Sequence, residues 1–156
     1  LLADRLTGRG WDLRMAMRLG MALAFLFTGI DHFLNAESRY MPMLPALLAD
    51  GAREIVWLTG AAEILGALAL ILPARVWPRL GLPDLRATAG ICLALLLAVM
   101  VIANITVALR GDQVAGLPFG AWYYWLRPAL QPLIILWALY AAGVWPGPRR
   151  APVPQL

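Results

Sequence analysis

The sequence contains no lysine, one histidine and one cysteine, and charged residues fill only 14% of its 156 positions. Each shortage excludes something. A single thiol, Cys92, forms neither an internal disulfide nor a C-x-x-C redox centre. It sits in the apolar run "AGICLALLLAVM" and reads as a small buried hydrophobe. The lone histidine, His32, with Asp31 and Glu63 makes a weak ligand set of no recognised spacing, so no metal is expected. No haem, flavin or iron–sulfur motif is visible, and no internal repeat. The 13 basic residues are all arginine and form no continuous stripe, so no nucleic-acid partner is expected.

What is present is apolar. Hydrophobic residues make up 62% of the chain and mean hydropathy is +0.72, above the usual soluble range. The solvent this implies is a lipid bilayer. A spanning helix needs roughly 20 mostly apolar residues, and four segments qualify: 13–34, 55–72, 87–109 and 121–145. The first, with "RMAMRLGMALAFLFTGI", has a basic flank but no small-x-small cleavage site after it, so it reads as a span. The expected fold is therefore an all-α integral membrane protein. It is an antiparallel four-helix transmembrane bundle over residues 1–146, with a disordered cytoplasmic tail at 147–156. The loop "ESRYMPMLPALLADGARE" is too apolar to be fully solvated. It predicts a short interfacial helix starting at Pro45 and ending at Gly51, with Met41, Leu44, Leu47 and Leu48 on one face.

Arginine placement sets the orientation. Arg5, Arg9, Arg14, Arg18, Arg75, Arg79, Arg86, Arg149 and Arg150 fall on one side; Arg39, Arg53, Arg110 and Arg127 fall on the other. The positive-inside rule then puts both termini in the cytoplasm of a multi-pass inner-membrane protein. Trp11, Trp77, Trp122 and Trp145 lie near helix ends, as interfacial aromatics do.

The polar residues inside the spans are few and collect at one depth. Asp31 and His32 fall within about 5 Å of the outer end of the first helix, and Glu63 about 12 Å below the outer end of the second. Asn104 and Arg127 fall about 8 Å down, and Gln131 about 14 Å down. Charges inside a bilayer are expensive and face the bundle interior or a cavity. An unpaired Glu63 must take a proton or find a cation, and Arg127 is the expected partner, supported by Asn104 and Gln131. Thr59, Gly60, Glu63, Gly66 and Ala67 share a small-residue face that admits a close neighbour. Pro128 and Pro132 flank Arg127 and Gln131, and free carbonyls toward the cavity. His32 reads as the solvent-side lip of this pocket. Asp31, rotated about 100° from it, need not face the same space.

The segments "TGIDHFLN", "LTGAAEILGALALILP", "ANITVAL" and "LRPALQPLIILWALY", with the Pro-containing loop between the first two, together resemble the DoxX family over roughly residues 14–140. The resemblance implies a small bacterial inner-membrane protein of four helices. Relatives of that family include a membrane subunit of a thiosulfate:quinone oxidoreductase. The expected function is a quinone- or lipophilic-ligand-binding component of a membrane redox system, with an oxidoreductase as partner. Glu63 and His32 are its candidate proton exchangers. His32, Asp31, Glu63, Asn104, Arg127, Gln131 and Trp122 are its candidate ligand contacts, and Trp57 and Trp125 are expected nearby. A non-enzymatic membrane scaffold or assembly factor is the alternative, and a small-solute carrier a weaker one. The sequence sets no oligomeric state.

Overall fold

The computed structural model describes residues 13–111, 114 and 119–146. Trp11, Arg5, Arg9 and the expected tail at 147–156 lie outside them. Four α-helices account for most of the described chain: α1, Leu13–Leu34; α2, Ala52–Ile71; α3, Arg86–Arg110; and α4, Ala121–Ala141. No strand occurs among the described residues. Three helical segments, Leu13–Leu34, Ala46–Ile71 and Arg86–Arg110, are long and apolar enough to cross a membrane. The fourth helix is also long, but Arg127, Gln131 and two internal prolines make it less apolar.

The helices form two tight pairs. α1 packs most extensively on α2, and α3 on α4, while the α2–α3 and α1–α4 seams are thinner. Missing side chains bring the pairs together. A Cβ on Gly60 would lie 2.7 Å from the Cβ of His32 and 2.9 Å from the Gly29 carbonyl oxygen. A Cβ on Gly90 would lie 2.1 Å from the Cβ of Ala142. Such approaches are what small residues at helix contacts permit.

Two apolar clusters fill the interior. One, including Met21, Phe25, Ala67, Leu70, Leu93 and Ala138, lies toward the start of α1 and the end of α4. The other joins Met43, Val107, Ala108, Val114 and Tyr124. The exterior is also apolar, with Leu23, Phe27, Leu58, Leu95 and Leu133 exposed on their respective helices. Cys92 belongs to that exterior and is not buried as expected. Ala89, Gly90, Leu93, Ala94 and Leu97 form the inward stripe of α3, and Cys92 falls on the opposite arc.

The connection from α1 to α2 is more structured than a single short helix. A π-helical turn, Ala36–Tyr40, leads into 3-10 turns at Met41–Met43 and Ala46–Gly51. Pro45 does precede the last of these, and Gly51 does close it. The four expected apolar residues do not share one face: Leu47 is 93% exposed, and Met41 and Leu44 are half-buried. Met43 is the residue that enters the core. Arg110 fastens this connection to α3 by donating to the Leu44 carbonyl at 2.8 Å and the Pro42 carbonyl at 3.3 Å.

Candidate functional site

The site begins with the helical repeat of α1. Thr28 and His32 are four residues apart, so they share a face with Phe25 and Gly29 and turn toward α2. Thr28 Oγ1 donates to Glu63 Oε2 at 2.5 Å. His32 Nδ1 lies 2.8 Å from the Thr28 carbonyl oxygen and 3.7 Å from Glu63 Oε2. A carbonyl oxygen only accepts, so Nδ1 carries the proton. Nε2 makes no hydrogen bond among the described residues. Glu63 and His32 are 1% and 2% exposed.

Asp31 faces the other way and organises the turn that follows. It accepts from Asn35 Nδ2 at 2.5 Å, from Tyr40 Oη at 2.7 Å and from Arg39. These bonds set the Tyr40 ring on the His32 ring, with centroids 3.9 Å apart. Burial raises the Tyr40 phenol above its ordinary value, helped by the bond to Asp31. Tyr40 therefore stays a donor. His32 is not a solvent-side lip: Tyr40 covers it.

The second pair supplies amides. Asn104 Nδ2 on α3 donates to Gln131 Oε1 on α4 at 3.0 Å, and Gln131 Nε2 donates to the Leu97 carbonyl at 2.9 Å. Arg127 lies one turn before Gln131, with its guanidinium carbon 5.9 Å from the centre of the Tyr123 ring. Its Nη1 is buried and has no hydrogen-bond partner. The expected Glu63–Arg127 ion pair does not form, because the nearest basic group to Glu63 is His32. α4 runs unbroken through Pro128 and Pro132, so each proline removes one helix donor without ending the helix.

These groups border a cavity of about 410 Å³ between α1 and α4, lined by Thr28, His32, Tyr40, Glu63, Asn104, Arg127 and Gln131. Its remaining walls are mostly apolar, with Phe25, Leu130 and Ile134 among them. A second cavity of about 140 Å³ lies between α2 and α3 under the loop. Of the seven expected contacts, five therefore meet at one cavity. Asp31 does not line it. Trp122 does not either: it is 64% exposed and stands edge-on to Tyr123. Trp57 pairs with Phe33 outside, and Trp125 is exposed. The tryptophan at the cavity is Trp137. Among the described residues no three His, Cys, Asp or Glu side chains gather as a metal site.

Sequence reasoning passed over Tyr40 and Tyr123 as lining residues. Tyr40 lies in a loop whose return path no periodicity specifies. Thr28 was the legible omission, since it stands one helical turn before His32.

Fold and site together define a helical protein with apolar helices of membrane-crossing length and a polar layer buried among them. The match of a domain of unknown function (DUF8561) to residues 21–142 shows that the chain belongs to that family. No curated protein and no solved structure matches the chain.

Proposed function

We propose that the chain is a DoxX-like four-helix integral membrane protein. It binds a quinone or similar lipophilic ligand as a component of a membrane redox system in the bacterial inner membrane. The observation that carries this reading is the buried Arg127 Nη1, a charged donor without an acceptor at the edge of an apolar-walled cavity. Ligand sites combine apolar walls with a few convergent polar groups in this way. Arg127 hydrogen-bonds a ligand oxygen, and Glu63 and His32 exchange protons with it. Electrons pass to a partner oxidoreductase. The apolar exterior supports placement in a bilayer, and the arginine distribution supports cytoplasmic termini.

The test is a quinone titration of the detergent-solubilised protein, followed by intrinsic tryptophan emission, with Trp137→Phe assigning the part that comes from the cavity. Saturable quenching that disappears in Arg127→Gln is expected. Absence of saturable binding by any quinone would overturn the reading. Copurification from native membranes with a stoichiometric oxidoreductase is expected. Recovery with only non-redox partners would favour the scaffold instead.

A further inference from the structure

We infer that the two cavities form one passage through the molecule, threaded by a single-tailed amphiphile. Its ring sits in the larger chamber, and its hydrocarbon tail leaves between α2 and α3. This rests on the ligand-binding reading above and adds the ligand's shape and route.

The geometry has three parts. First, both cavities are lined by the same five residues, His32, Tyr40, Met100, Asn104 and Arg127. They therefore adjoin across these five side chains, the junction. Second, each cavity occupies one of the two thin seams. The larger lies between α1 and α4, and the smaller between α2 and α3. The tight seams, α1–α2 and α3–α4, are closed by the Gly29–Gly60 and Gly90–Ala142 approaches. Third, the loop end is covered at this point. Tyr40 lies on His32 and is held there by Asp31, so a direct path from that end would have to break the stack.

The chambers differ in chemistry as well as size. The larger holds Thr28, Glu63 and Gln131 in addition to the junction, whereas the smaller adds one hydroxyl, Thr59, to walls that include Leu48, Val56, Val99, Ile102 and Ala103. A space of about 140 Å³ is well below the usual size of a whole-ligand pocket, and its apolar walls suit part of a hydrocarbon chain. Val99 and Ile102 are exposed on α3 and stand at its outer mouth. A tail leaving there meets the same apolar surroundings as the helix exteriors. The junction then holds the head: Arg127 Nη1 donates to a ring oxygen, and His32 lines the same space.

The experiment compares a tailless dimethoxy-methylbenzoquinone with its decyl-tailed analogue, using the part of the tryptophan quenching that Trp137→Phe removes. The tailed probe is expected to bind at least about tenfold more tightly, since each buried methylene adds favourable transfer energy. Ala103→Trp plugs the narrow chamber. It is expected to remove that advantage while leaving tailless binding within about twofold of the parent. Val99→Trp, at the exposed mouth, serves as the second variant if the first fails to yield folded protein. Ala24→Trp, in the α1–α4 seam, is expected to weaken both probes alike. Equal affinity of the two probes overturns the passage but leaves the binding reading intact. Loss of the tail advantage in Ala24→Trp alone also overturns it, because the tail then leaves by the other seam. Failure of both probes to bind the parent protein removes the binding reading as well.

Discussion

Thr28 on α1 donates its hydroxyl to Glu63 on α2 across a distance of 2.5 Å. The bond crosses the close α1–α2 contact at Gly29 and Gly60. Among the described residues it is the one side-chain hydrogen bond made by Glu63, which is 1% exposed. Thr28→Val keeps the shape of the side chain and removes that donor. It should destabilise the protein by about 1–3 kcal/mol, the usual penalty for stranding a buried polar group. Thr28→Ser should restore most of the loss. Thermal unfolding of the purified protein measures both.

Gly60→Ala should be more damaging than its size suggests. The added methyl would meet the His32 Cβ at 2.7 Å and the Gly29 carbonyl oxygen at 2.9 Å. Neither is the end of a flexible side chain. The helices must separate, at about 1–3 kcal/mol, and Thr28 is drawn away from Glu63. A lowered melting temperature together with weakened ligand binding is expected. Unchanged stability would show that the pair can open freely.

Arg127→Gln should separate stability from function. Nη1 has no partner to lose, so the melting temperature should stay within a few degrees of the parent. Ligand binding should fall by at least about tenfold, as expected for loss of a charged hydrogen bond. A variant that unfolds would mean that stacking on Tyr123 is structural.

Asn104 and Gln131 should behave as a unit. Their 3.0 Å bond and the Gln131 bond to the Leu97 carbonyl tie α3 to α4. A double-mutant cycle with leucine at each position should give a coupling of about 0.5–1.5 kcal/mol. A coupling near zero would show that each amide finds another partner alone.

Tyr40→Phe removes the bond to Asp31 but leaves an aromatic ring for His32. Tyr40→Ala removes both. The phenylalanine variant should lose about 1 kcal/mol of stability. Only the alanine variant should expose His32, measured as faster modification by an imidazole-directed reagent.

Much of this architecture was legible in the sequence because long apolar segments have few alternatives. The helices α1, α3 and α4 begin within one residue of the expected starts, and α2 begins at Ala52 where 55 was expected. α4 ends at Ala141, short of the expected 145. The convergence of His32, Glu63, Asn104, Arg127 and Gln131 followed from depth counting along each axis. Rotation about the axis was harder to read. Depth alone paired Arg127 with Glu63, but the helix phases turn Glu63 toward α1, where Thr28 and His32 meet it. Trp122 failed for the same reason: it lies near the right level on an exposed arc. Tyr40 was hidden because its position depends on the path of the loop and on three bonds to Asp31.

The pairing of the helices also divides the polar layer. Thr28 bonds Glu63 through its hydroxyl and His32 Nδ1 through its carbonyl within the first hairpin, and Asn104 bonds Gln131 within the second. Each hairpin can therefore complete its internal bonding before the other is made. The 72–85 connection is then a joint between two assembly units, and Arg127 Nη1 is a buried donor of the polar layer for which neither unit supplies an acceptor. The cavity has no walls until the two units meet. Ligand binding by co-expressed halves, severed within 72–85, would thus report reassembly itself.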